Sequence, residues 1–213
     1  MTKTVDEAEI TFFQKLQSLI GSSPPKEVAK LPRTIHRICG VDAAYSSEGN
    51  RVAAAAAVFA DNRLEETRVY SGRFTFPYVS GLFFLHEGPF VVAGVRKLKR
   101  MPQLVCLDAH GIAHPRSKGL AMICGMVLRV PTIGIAKSVL IGQVSNYRNG
   151  LSMMMYNGRR LGYATSEPTR YWSPGFAVSR PELERVIRQS GATCLKALQE
   201  AHRIAKEEIN LTT

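Results

Sequence analysis

The spacing of apolar positions changes several times along this chain, and each change marks an element. From Asp6 to Leu19 they recur with helical period, with Ile10, Phe13, Leu16 and Ile20 on one side. Ser22-Ser23-Pro24-Pro25 then stops the helix and opens a loop. Three strand-like runs follow: Ile38 to Tyr45, Val52 to Phe59 (almost entirely alanine and valine) and Leu64 to Phe74. Asp61-Asn62 joins the last two as a hairpin turn, which predicts an antiparallel meander. The loop Phe76 to Gly81 precedes a helix predicted from Leu82 to Lys99. Pro89 is tolerated only near the start of such a helix, and the basic run Arg96 to Arg100 suits its carboxyl end.

Leu104 to Lys137 organises the rest. The apolar run Leu104 to Leu107 ends abruptly on Asp108, as a buried parallel strand would. Loop residues Gly111, His114 and Pro115 follow. Lys118 to Arg129 carries Leu120, Cys124, Val127 and Leu128 at helical spacing. Pro131 breaks that helix, and Thr132 to Ala136 makes a second apolar strand ending on Lys137. This strand–helix–strand unit sets Asp108 and Lys137 at the carboxyl ends of two strands, the edge where open α/β sheets bind ligands. Leu140 to Val144 and Leu151 to Ala164 read as strands with turns at Asn149-Gly150 and Asn157-Gly158, and Trp172-Ser173-Pro174-Gly175 reads as a further turn. Pro181 to Gln189 and Thr193 to Glu208 predict two terminal helices punctuated by Gly191. The fold class is therefore α/β, a mixed sheet flanked by helices.

The chain of 213 residues suits one well-buried domain. No run approaches a membrane helix, and the polar, acid-bearing Met1 to Glu9 is not a signal peptide. Cys39, Cys106, Cys124 and Cys194 are scattered, as buried thiols of a cytoplasmic protein would be. Charge adds more. Lys and Arg total 28 against 17 Asp and Glu, a net +11 with a pI near 9.8. That excess favours a phosphate polymer as partner over a membrane surface.

Asp42 and Asp108 each lie in or at the end of an apolar strand, where a carboxylate needs a partner or a metal. With Glu87 they would form an oxygen-rich site for Mg²⁺ or Mn²⁺. The alternative is that Asp42 caps a turn, Asp108 caps the next helix and Glu87 is solvated. His110 and His114 are candidates for proton or metal chemistry, or structural hydrogen-bonding residues. Lys137 could stabilise charge on phosphate or lie on the surface. Tyr78, between Pro77 and Val79, could wedge into a base stack or cover the core. Gly81 and Gly111 would let a flipped base approach the backbone, or would serve turns. No P-loop and no Gly-x-Ser-x-Gly elbow occurs.

Five ordered motifs together resemble the endonuclease V family of deoxyinosine 3′-endonucleases. They are Gly40-Val41-Asp42, Phe74 through Gly81, His86-Glu87-Gly88-Pro89, Asp108 through Arg116, and Pro131 through Ser138. The resemblance runs from about Gly40 to Gly175 and implies a ribonuclease H-like fold; the expected single domain spans residues 1–213, with an N-terminal helix and loop in 1–35 and C-terminal helices in 180–213. It implies a Mg²⁺-dependent DNA repair nuclease, with Mn²⁺ as the alternative metal. Such a nuclease cuts the second phosphodiester bond 3′ to deoxyinosine and leaves 3′-hydroxyl and 5′-phosphate ends. By position, Asp42, Glu87 and Asp108 match metal-binding acids, His114 and Lys137 match active-site residues, and Tyr78 matches the wedge. Gly81, Gly111, Gly119 and Leu120 fall where the family lines its base pocket. An inosine-specific ribonuclease, or a non-catalytic binding protein of the same fold, are the other readings. The expected protein is cytoplasmic and monomeric.

Four departures qualify the resemblance. Ser80 replaces a proline of the wedge loop, and Ala109 replaces a glycine, so that its Cβ would crowd a flipped base. Phe176 replaces the histidine of a Ser-Pro-Gly-His run, a loss that another acid such as Glu167 or Glu182 would have to meet. The segment between Leu140 and Trp172 is short.

Overall fold

Strict alternation within the strands decides which side of the sheet each helix covers. The computed structural model describes residues 5–20, 30–47 and 50–211, so the helix stop at Ser22-Ser23-Pro24-Pro25 lies outside the described residues. In chain order the elements are α1 (Glu7–Leu19), β1 (Arg37–Tyr45), β2 (Arg51–Ala60), β3 (Arg63–Arg73), α2 (Phe83–Arg96), β4 (Leu104–Leu107), α3 (Leu120–Leu128), β5 (Thr132–Ala136), β6 (Gln143–Arg148), β7 (Leu151–Tyr156), β8 (Arg159–Ser166), β9 (Thr169–Pro174) and α4 (Arg180–Leu211). The described strands form one mixed sheet in the order β3-β2-β1-β4-β5-β9-β8-β7-β6. β1, β4 and β5 run parallel at its centre, and antiparallel meanders extend it on both sides. Both residues of each tight turn, Asp61-Asn62, Asn149-Gly150 and Asn157-Gly158, have positive φ. That is the hairpin geometry which the twist of the flanking strands requires.

One face of the sheet carries Cys39, Val41, Val105 and Leu107, packed under Val91 and Val95 of α2 and Leu120, Ala121 and Cys124 of α3. The other carries Ile38, Leu104, Cys106, Ile133, Ile135 and Trp172, packed under Leu183, Val186, Cys194 and Leu198 of α4. Small residues bring α4 close. A Cβ on Gly40 would lie 2.2 Å from the backbone carbon of Ala197. Ala53 and Ala55 meet Ala205 farther along the same helix. All four cysteines are buried and free. No helix of the described residues is long and apolar enough to cross a membrane.

The structure corrects several expectations. The two predicted terminal helices are one. Gly191 is buried within α4, and the long, packed helix absorbs the roughly 1 kcal/mol helical cost of glycine. The predicted turn Trp172 to Gly175 is mostly strand, because Pro174 closes β9 at a position where it needs no N–H. The strand predicted over Leu140 to Val144 starts at Gln143 and runs to Arg148; its polar composition suits an edge. Pro89 lies in the middle of α2, not at its start. Asp6 caps α1 by accepting the Ala8 amide and forms a capping box with Glu9. On α1 the buried residue is Gln17, 1% exposed, whereas Leu16 is 45% exposed.

Candidate active site

The parallel register brings two acids side by side. Val41 pairs with Leu107, so Asp42, inside β1, and Asp108, just past the end of β4, follow side by side, roughly 5 Å apart along the backbone. Asp42 lies two residues beyond Gly40 and Asp108 two beyond Cys106, so both face α4. They line a cleft of about 170 Å³ with Lys137, Arg170 and His202. Lys137 donates to Asp108 Oδ2. His202 Nδ1 lies 2.6 Å from Asp42 Oδ2, and the Ala43 amide donates to Asp42 Oδ1 at 2.9 Å. Burial, and then the charge of Asp108, raise the Asp42 pKa. The bond to Asp108 raises that of Lys137.

Glu87 comes from α2, on the other side of the sheet. It is buried, and Tyr45 donates its hydroxyl to Glu87 Oε2 at 2.7 Å. Burial pushes its pKa up to about 8, and the charges of Asp42 and Asp108 add to that push. The three acids therefore share one electrostatic environment, although each has its own partner. Among the described residues no three His, Cys, Asp or Glu side chains stand as a ready-made metal cage. The donor set still suits a hard divalent cation, because the carboxylates repel one another and Asp108 and Asp42 are now balanced by side chains 61% and 41% exposed.

The remaining predicted residues gather around a second centre. Tyr78 is 66% exposed and meets Phe83 edge-on, with ring centroids 5.7 Å apart. The Leu82 amide donates to the Val79 carbonyl, and Gly81 between them has φ +79°, as the third residue of a type II turn. Ser80 thus occupies the position where such turns favour proline. The Gly81 carbonyl accepts from His114 Nε2 at 3.1 Å and from Arg116 Nη2 at 2.7 Å. The Arg116 amide donates to His114 Nδ1, which fixes a neutral ring; burial lowers the His114 pKa to about 4. His110 Nε2 meets the Ser138 carbonyl, and burial lowers its pKa as well.

The remaining glycines have packing reasons of their own. A Cβ on Gly111 would lie 1.9 Å from the Pro174 oxygen, and one on Gly119 would lie 2.2 Å from the His110 oxygen. Leu120 and Ala109 are buried in the core under α2 and α3. The Ala109 methyl therefore packs inward and does not crowd a slot open to solvent. The concern over Phe176 is also corrected. It is 1% exposed and packs against Gly125 of α3, and its carbonyl accepts the amide of Thr132, the first residue of β5. Lys137 follows the last residue of that strand, so Phe176 sits at the opposite end from the cleft. Glu182 is engaged in bonds from Ser179. His202 holds the place beside Asp42, and with Arg170 it is the residue that sequence reasoning missed. Its only signal was a polar residue flanking the apolar stripe of a long helix.

The endonuclease V family model matches residues 22–202. This chain belongs to the endonuclease V family. The endonuclease V of Sulfolobus acidocaldarius is 30% identical over 203 residues, covering 95% of this chain and 97% of that protein. The crystal structure of endonuclease V from Streptomyces avermitilis is 26% identical, covers 93% of this chain and 96% of its own, and has a TM-score of 0.70. Endonuclease V of Ciona intestinalis, in complex with a 24mer DNA containing an inosine followed by a ribo-adenosine, has a TM-score of 0.80. It is 16% identical and covers 97% of this chain and 100% of its own. The ribonuclease H-like fold of endonuclease V structures is the fold of this chain.

Proposed function

We propose that this endonuclease V cuts DNA at the second phosphodiester bond 3′ to deoxyinosine, leaving 3′-hydroxyl and 5′-phosphate ends. The carrying observation is that Asp42 and Asp108 directly follow the paired residues Val41 and Leu107 on adjacent strands, in a cleft shared with Lys137 and Arg170. Asp42, Asp108 and Glu87 would hold Mg²⁺, with Mn²⁺ as the alternative. Held by these carboxylates, such an ion would supply a water of lowered pKa and would offset charge on the scissile phosphate. Lys137 and Arg170 bind the non-bridging oxygens, where negative charge grows as water adds to phosphorus and the P–O3′ bond breaks. His202 keeps the Asp42 carboxylate oriented toward the cleft. His114 acts by holding the Gly81 carbonyl of the wedge loop. Tyr78 fills the space left in the stack when the damaged base turns out. Hypoxanthine differs from adenine in its 6-oxo group and protonated N1, features that backbone donors and acceptors near Gly81, Gly111, Gly119 and Leu120 could read.

A nicking assay tests the reading on matched strands with and without inosine. Wild type is expected to nick the inosine strand in Mg²⁺ and not in EDTA, and Asp42→Asn and Asp108→Asn to lose about 100-fold or more. Equal cutting by all three proteins would sink the metal mechanism. The Ciona complex carries a ribonucleotide after its inosine. The panel therefore includes an RNA strand and a strand with one ribonucleotide after inosine; faster cutting of either would reassign the substrate to RNA.

A further inference from the structure

Tyr78 is largely exposed and meets Phe83 and His86 only edge-on, at ring-centroid distances of 5.7 and 6.4 Å, so its own packing holds its direction weakly. The two ends of its loop hold it further. At the first end the Phe76 carbonyl lies 2.6 Å from His86 Nδ1, and the Phe76 ring meets the edge of Phe13 from α1 at 5.5 Å. At the second end the Gly81 carbonyl takes bonds from His114 and Arg116. Arg116 is in turn aimed from α1: its Nε donates to Gln17 Oε1 at 2.5 Å, while Gln17 Nε2 donates to the Lys118 carbonyl at 2.6 Å. Gln17 is 1% exposed, so no water can stand in for either bond. A side chain from the first helix thus locks the guanidinium that grips the far end of the wedge loop.

We propose that Gln17 is a positioning residue for base recognition, and that α1 is a brace which holds the Tyr78 loop in its reading posture. The role as a wedge rests on the function proposed above; the brace itself is independent of it. Without the Gln17 acceptor, Arg116 Nε loses its partner and the guanidinium is free to leave Gly81. The loop then keeps its sequence but loses its orientation, and selectivity for the damaged base falls more than the chemistry does. Gln17→Met keeps the volume and removes both bonds. Gln17→Glu keeps the acceptor for Arg116 and loses only the donor to Lys118.

Two measurements decide it on the full chain. Hydrogen exchange over residues 78–82 reads the loop without any activity: Gln17→Met is expected to lose protection at the Leu82 amide, which donates to the Val79 carbonyl, and Gln17→Glu to retain it. In the nicking assay, Gln17→Met should lower the inosine-to-undamaged ratio of kcat/KM by about tenfold, the scale of one lost charge-assisted bond, with kcat on inosine nearly unchanged. In a Tyr78→Ala background the same substitution should change that ratio less than about twofold, since the brace acts through the wedge. Unchanged exchange in Gln17→Met overturns the brace. An equal loss of selectivity with and without Tyr78 overturns its role in recognition. A wild type that nicks no inosine strand overturns the functional reading instead and leaves the exchange test standing. Should Gln17→Met not fold, Gln17→Asn, too short to span both partners, takes its place with the same expectations.

Discussion

Glu87 shows how much a single buried carboxyl can shape behaviour. Its pKa is raised from 4.5 to about 8, first by burial and then by the neighbouring acids. Below pH 4.5 the group is protonated in both folded and unfolded chains and costs nothing. As pH rises toward about 8, the unfolded chain ionises and the folded one does not, so stability is lost across that window. Without divalent metal, the melting temperature is expected to fall between those limits. Glu87→Gln should flatten the curve and melt about 5 °C above wild type at pH 8, roughly 2 kcal/mol for a chain of this size. A thermal melt series against pH, in EDTA, checks both. Asp42, Glu87 and Asp108 were legible because an acid in an apolar run demands an explanation. His202 and Arg170 were not, because nothing in a helix flank or a strand of ordinary polarity says which cleft it will line.

Strand and helix identity was read well where the period was unbroken, as in β1, β2, β4 and β5. It failed where a breaker residue had a tertiary use. Gly191 was read as a gap between helices, but it is buried inside the continuous α4, where a Cβ would make only ordinary contact with Trp172. Pro174 and Gly175 were read as a turn, but β9 uses the proline as its last residue. Gly40 was read only as part of a motif, yet it sets how closely α4 approaches β1. Gly40→Ala would place its methyl 2.2 Å from the backbone of Ala197. Overpacking of this kind costs about 1–3 kcal/mol, and here it would also move His202 away from Asp42. Denaturant unfolding should show the stability loss, and nicking activity should fall further than stability alone explains. Full activity in a folded Gly40→Ala protein would show that the spacing of α4 has no bearing on the cleft.

The net charge of +11 acts on the whole molecule. It predicts that affinity for any DNA falls steeply with salt, and that single surface cations matter little individually. Arg170 is the exception, since it lines the cleft with Lys137. Arg170→Ala should lower the slope of log affinity against log salt by about one, and should slow nicking of bound strands as well. Binding titrations at several salt concentrations and single-turnover kinetics separate the two effects. A normal slope with normal turnover would remove Arg170 from the phosphate site.

The wedge loop leans on α2 beside His86, and the next residue of that helix, Glu87, lies within the field of Asp42 and Asp108, so one helix would join the part that inspects to the part that severs. Were the cut made on the 3′ side, as proposed above, the abnormal nucleotide would stay attached to the strand that keeps its 3′-hydroxyl, and its excision would fall to a separate reaction.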